Sequence, residues 1–128
     1  MFETEEQKER IILVAVATAD GDDTEQSLDE LEELGQTAGA VTVAKVIQNR
    51  EKVHAGTYVG KGKIEEIKNL AISLDADAVV CDDELSPAQY HNLQDALEIK
   101  VIDRTVMILD IFAKRASTSE GKLQVELA

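Results

Sequence analysis

Two short apolar runs constrain this chain more than anything else in it. Ile11-Ile12-Leu13-Val14-Ala15-Val16 and Ala78-Val79-Val80-Cys81 contain no polar residue. A strand with one wet face would show a polar residue at every second position. These runs show none, so they read as strands covered on both faces. Strands of that kind belong to mainly parallel sheets whose connections are helices.

The segments between the runs supply those helices. After the turn at Asp20–Asp23, Ser27 and Glu30 have the spacing of a capping box. Leu28, Leu31, Leu34 and Ala38 then recur at helical spacing, with Gly35 or Gly39 as the stop. A second strand covers Val41 to Ile47, alternating at Val41, Val43 and Lys45. A loop follows from Asn49 to Gly56. Thr57-Tyr58-Val59 reads as a brief third strand. A helix from about Gly62 to Leu74 places Ile64, Ile67, Leu70, Ala71 and Leu74 on one face.

Beyond the run at 78–81, Ser86-Pro87-Ala88-Gln89 forms another capping box, with proline at the first helical position. That helix reaches about Leu97. Lys100-Val101-Ile102 reads as the last strand. Asp103 or Arg104 then opens a helix with Met107, Ile108, Ile111 and Phe112 on its inner side. The expected fold is α/β, a mainly parallel sheet of four to five strands with helices on both faces. Residues 1–10 read as an acidic, disordered tail and 11–116 as the α/β unit. From Ser117 to Ala128 the chain reads as the start of a further helix, cut short.

Aromatic residues make up only 3% of the 128, so the core is left to Ile, Leu, Val and Ala. One cysteine permits no internal disulfide and fits a reducing compartment. The run from Ile11 to Ala17 is too short to span a bilayer, and the first ten residues lack a signal-peptide core. These features imply a cytoplasmic protein. The net charge of −13 is uneven: residues 1–38 hold 12 acids and 2 bases, residues 39–128 hold 14 acids and 11 bases. So acidic a surface repels nucleic acid except at a local basic patch.

Such a patch exists between Lys45 and Lys68. Six bases (Lys45, Arg50, Lys52, Lys61, Lys63, Lys68) stand there against Glu51, Glu65 and Glu66. Gly60-Lys61-Gly62-Lys63 lies within it, between a strand and a helix. Amides in a glycine turn and a helix N-terminus both attract anions, and the lysines would assist. The same stretch is equally a tight turn with solvated lysines. It is not a phosphate loop: only three residues separate Gly56 from Gly60, and Gly62 follows Lys61 where serine or threonine is needed. Asp82-Asp83-Glu84, joined by Asp20, Asp22 and Asp23, would suit a hard cation. A helix start at Ser86 explains these acids as well. His54 and His91 have no metal-ligand spacing, and Cys81 reads as an inert core thiol.

Three stretches together are far more specific: Thr57-Tyr-Val-Gly-Lys-Gly-Lys-Ile-Glu-Glu-Ile67; Asp82-Asp-Glu-Leu-Ser-Pro-Ala-Gln89; and Val101-Ile-Asp-Arg-Thr105, continuing through Ile108–Ala113 and Glu120–Ala128. In this order and spacing they closely resemble the amino-terminal domain of the HflX family of ribosome-associated GTPases. The resemblance runs from about Ile11 to the end. It implies an α/β subdomain followed by a helical pair and then a GTP-binding domain. It further implies association with the large ribosomal subunit and its rRNA. GTP and magnesium would belong to the GTP-binding domain, since this chain has no phosphate loop and no guanine-reading motif. No catalytic or metal residue carries over. Gly60, Lys61, Gly62 and Lys63, with Lys45, Arg50, Lys52 and Lys68, are the candidate contacts to RNA phosphate. A nucleotide-binding sensor holding phosphate at Gly60–Lys63 is the alternative.

Overall fold

Strands and helices alternate throughout this computed structural model, which describes residues 8–18 and 23–115. β1 (Glu9–Ala17) precedes α1 (Thr24–Thr37), and β2 (Ala40–Asn49) precedes α2 (Lys61–Leu74). β3 (Ala78–Cys81) precedes α3 (Pro87–Leu97), and β4 (Lys100–Asp103) precedes α4 (Arg104–Arg115). These strands form one parallel sheet in the order β2-β1-β3-β4. The two fully apolar runs occupy its two central positions, where both faces are covered.

Period-two alternation along β1 divides the core. Ile12, Val14 and Val16 meet Ile64, Ile67 and Ala71 of α2 and Leu93 and Leu97 of α3. Ile11, Leu13 and Ala15 meet Leu28 and Leu31 of α1 and Met107 of α4. The result is an α/β sandwich with helices on both sides of the sheet.

The Ser86–Gln89 capping box forms as expected. Ser86 Oγ accepts from the Gln89 amide at 3.1 Å, and Gln89 Oε1 accepts from the Ser86 amide at 2.9 Å. The box expected at Ser27 does not form. α1 begins earlier, with Asp23 as its N-cap, and the Ser27 amide already donates to Asp23 O inside the first turn. Gly35 lies within α1 and does not end it. A β-carbon there would stand 3.1 Å from Ile11 Cδ1, so glycine lets α1 lie close to β1. Gly39, at φ 92°, follows the helix end.

Thr57–Val59 is not a strand of the sheet. Tyr58 makes a single antiparallel bridge with His54 and sits at φ 68°, a left-handed conformation that no extended strand contains. Phe112 also departs from its expected inward position and is 60% exposed. It stands roughly 140° round the helix from buried Met107, beyond the buried sector.

An irregularity in β2 alters its facing. Ile11 pairs with Thr42 but Ile12 pairs with Ala44, leaving Val43 as an extra residue. Val43 and Ala44 both pack toward the α2 side, and Lys45, paired with Leu13, turns to the α1 side. The simple alternation of Val41, Val43 and Lys45 is thereby broken, because one inserted residue inverts every side chain beyond it. The tail up to Gln7, Asp20 and Asp22 of the turn, and the helix start at Ser117 lie outside the described residues. No helix among the described residues is long and apolar enough to cross a membrane.

Candidate functional site

A parallel sheet with helical returns brings the N-termini of α1 to α4 to the carboxyl end of the strands. The chain leaves β1 toward β2 on one side and returns to β3 on the other. The β1/β3 crevice is therefore the topological switch point. A cleft of 470 Å³ opens there, lined by Thr18, Asp23, Ser27, Val53, Asp82 and Asp83 among others.

Two of its three acids, Asp82 and Asp83, are already engaged, while Asp23 is the N-cap of α1 and makes no side-chain cap bond. Arg104 Nη2 and Nε donate to Asp82 Oδ1 at 2.7 and 3.2 Å, and Ser27 Oγ donates to Asp82 Oδ2 at 2.7 Å. Arg104 Nη2 also reaches the Ser27 carbonyl at 2.8 Å. This network ties the start of α4 to the end of β3 and to α1. The fork shape of the guanidinium makes arginine the suitable cation for it. Asp103 is buried and accepts from the amides of Leu85 at 2.9 Å and Val106 at 3.0 Å, so it caps α4. Asp83 accepts from the Tyr58 hydroxyl at 2.7 Å. Burial, reinforced by that carboxylate, pushes the Tyr58 phenol far above its ordinary pKa of 10. Among the described residues no group of three or more His, Cys, Asp or Glu is placed to hold a metal ion.

The loop after β2 is fastened to α3. Gln89 Nε2 donates to the His54 carbonyl at 2.8 Å, and Asn92 Nδ2 donates to the Gly56 carbonyl at 2.8 Å. His54 Nδ1 accepts from the amides of Gly56 and Thr57 at 3.1 and 3.2 Å, which places the proton of the neutral ring on Nε2. Tyr58, buried and left-handed, anchors the loop from beneath. These contacts fix where the chain enters α2.

Gly60 is the N-cap of α2. Its own amide donates to Gln48 Oε1 at 2.8 Å. A β-carbon at Gly60 would lie 2.9 Å from Arg50 Nη1, so glycine is what lets that guanidinium lie over the helix end. Gly62 has open space around the same position. Ile64 is the first residue whose amide bonds back to Gly60 O, so the amides of Lys61, Gly62 and Lys63 point out of the helix end.

Arg50, Lys52, Lys61 and Lys63 thus share one corner with Gly60 and Gly62. Arg50 Nε donates to Lys52 O at 3.2 Å, and Lys63 Nζ reaches Glu66 at 2.9 Å. Lys45 is not part of this corner: turned by the bulge, it bonds Asp29 at 2.9 Å and Glu32 at 2.7 Å on α1. Those two carboxylates, Glu32 foremost, raise its pKa. Lys68 lies two turns down α2, about 10 Å along the axis, facing Glu98 at 3.4 Å. Sequence reasoning missed Gln48, Asn92 and the Tyr58–Asp83 pair. Gln89 was visible as a capping residue, but its second bond to the loop was not.

The family described as GTP-binding GTPase N-terminal matches residues 25–113. A protein named GTPase HflX from Lacrimispora saccharolytica is 66% identical over all 128 residues, and this chain spans 30% of its length. GTPase HflX of Escherichia coli is 43% identical over 128 residues, again with 30% of its length spanned. Among solved structures, the SsGBP–GDP complex aligns with a TM-score of 0.62 at 21% identity, over 93% of this chain and 33% of that one. A GTP-binding protein from Sulfolobus solfataricus in complex with GDP aligns at 0.58 and 20% identity, over 91% and 34%. These structural matches carry the fold. The sequence matches carry more: the chain belongs to the GTP-binding GTPase N-terminal family, as an amino-terminal domain of the HflX type.

Proposed function

We propose that this domain helps to seat an HflX-type GTPase on the large ribosomal subunit by contacting rRNA phosphate. The observation that carries the reading is the corner of Arg50, Lys52, Lys61 and Lys63 at the open end of α2. It is a local positive site on a chain of net charge −13. Outward amides of the first helical turn add to its attraction for phosphate. The acidic remainder repels RNA, so the same charge pattern that permits contact also fixes its orientation. Lys45 and Lys68 lie away from this corner and are held by acids, and Lys63 is itself paired with Glu66, so Arg50, Lys52 and Lys61 supply most of the attraction.

GTP and magnesium chemistry belongs, on this reading, to other parts of the cytoplasmic parent protein, its helical and GTP-binding domains. The residues present here do not fit a magnesium–phosphate site. The Gly60 amide is taken by Gln48, the Asp82 and Asp83 carboxylates are bound by Arg104, Ser27 and Tyr58, and no hydroxyl follows Lys61. No step through either group is assigned to this chain. The same geometry weakens the alternative of a nucleotide sensor at Gly60–Lys63, which needs the Gly60 amide free.

Charge reversal in the full-length parent tests the proposal. The double substitution Lys61→Glu and Lys63→Glu should weaken co-sedimentation with large subunits. It should also flatten the dependence of log affinity on log salt by about 0.7–0.9 for each phosphate that is no longer neutralised. An unchanged salt slope would sink the assignment of this corner.

A further inference from the structure

The outer side of α4 is apolar where solvent should favour polar residues. Val106, Leu109 and Phe112 recur at intervals of three and are 38%, 61% and 60% exposed. They are three of the five large apolar residues exposed among the described residues. The remaining two, Val41 and Ile72, stand singly on β2 and α2. The inner side of the same helix is already occupied, with Met107 buried and Ile111 packed toward α1. The stripe is therefore a second apolar face and not a misplaced core. At its foot, Val106 and Met107 border a small groove with Ile11 and Ile102, rimmed by the charged Glu9, Lys100 and Asp110. Stripe and groove form one continuous surface.

We infer that this surface is the seam on which the rest of the parent polypeptide packs, through apolar side chains of the part of that polypeptide that follows α4. The inference rests on the HflX-type reading, in which this chain is the amino-terminal part of a longer protein. Two observations select that occupant. The chain spans only 30% of the length of its HflX relatives, so most of such a protein lies elsewhere. α4 is the last described element, so the polypeptide that follows is tethered directly to the stripe. A tethered apolar segment meets the seam at high effective concentration, whereas a second copy must be collected from dilute solution. An isolated stripe of this kind on a free domain would invite association, which is a further reason for it to be covered within the chain.

Thiol labelling of the full-length protein decides the matter without any ribosome. Leu109→Cys and Phe112→Cys are compared with Ile72→Cys, a position 73% exposed on the opposite face, after other exposed thiols are replaced by serine. The native Cys81 is buried and does not compete. The expected result is maleimide labelling at 109 and 112 at least tenfold slower than at 72, independent of protein concentration. Equal rates at all three positions overturn the inference. Slowing that appears only as protein concentration rises overturns it too, by assigning the stripe to a second copy. Slowing that requires added large subunits assigns it to the ribosome and equally overturns it. Failure of the phosphate-contact proposal would change none of these rates.

Discussion

The two faces of the sheet are finished to different degrees. Among the described residues, the α2/α3 face buries fifteen apolar side chains, including Tyr58 and Val59 from the loop, and presents two separated exposed hydrophobes, Ile72 and Val41. The α1/α4 face buries nine, is joined at its upper edge by the Arg104–Asp82–Ser27 network, and leaves an apolar stripe facing outward on α4. The first face is closed by its own residues. The second is closed only on its inner side. The uncovered face lies on α4, the helix to which the proposed seam is assigned.

Substitutions can break or sharpen this contrast. The largest effect is expected at Ile67, which is 1% exposed on the inner side of α2. Ile67→Ala should cost about 2–5 kcal/mol in urea unfolding, since the closed face cannot easily collapse onto the cavity. A loss below about 1 kcal/mol would show that this face is looser than its packing suggests. On the other face, Arg104→Leu strands Asp82, whose side chain is only 11% exposed. A fully buried carboxylate left alone would cost more, but Arg104 is 26% exposed and solvent screens part of the pair. A loss of about 1–3 kcal/mol is expected. No loss would mean that the two helices of that face are held by packing alone.

The third test uses pH and reads the loop contribution to the closed face. Tyr58 has its pKa raised by burial and then by Asp83, so the folded state keeps a proton that the unfolded chain releases above its ordinary value of 10. The unfolded state then binds fewer protons, and stability falls as pH rises past 10. Each such group adds a slope of about 1.4 kcal/mol per pH unit. Cys81 and Tyr90 are raised by burial as well and steepen the same decline, the thiol from an ordinary 9.0. Tyr58→Phe should remove one proton's worth of slope between about pH 10 and 11. An identical slope in the variant would mean that Tyr58 ionises as freely in the folded protein as in the unfolded one.

Much of the architecture is legible in local pattern. The unbroken apolar runs of β1 and β3 require cover on both faces, and they are the two central strands. The Ser86-Pro87-Ala88-Gln89 signature specifies its cap through contacts three residues apart, so nothing distant can override it. Ser27 shows the opposite outcome. Its spacing to Glu30 fits a capping box, yet its hydroxyl serves Asp82, 55 residues away. Thr57–Val59 has strand composition, but Asp83 and Gln89 hold the loop in a conformation that composition does not report. The basic stretch was visible as six bases between Lys45 and Lys68. The removal of Lys45 from it was not, because one extra residue in β2 has no local signature and shows only in register against β1.

The division has a physical basis. Which segments are strands or helices, and which strands lie inside, follows from the period and polarity of neighbouring residues. Those are short-range properties written directly in the chain. Which polar groups find one another depends on how the sheet order β2-β1-β3-β4 brings distant loops to one edge. Sequence determined an α/β domain with its cations gathered near α2. Only the tertiary structure decided that Asp82 and Asp83 would be consumed by Arg104, Ser27 and Tyr58, that Gln48 would claim the Gly60 amide, and that α4 would keep an apolar face turned outward.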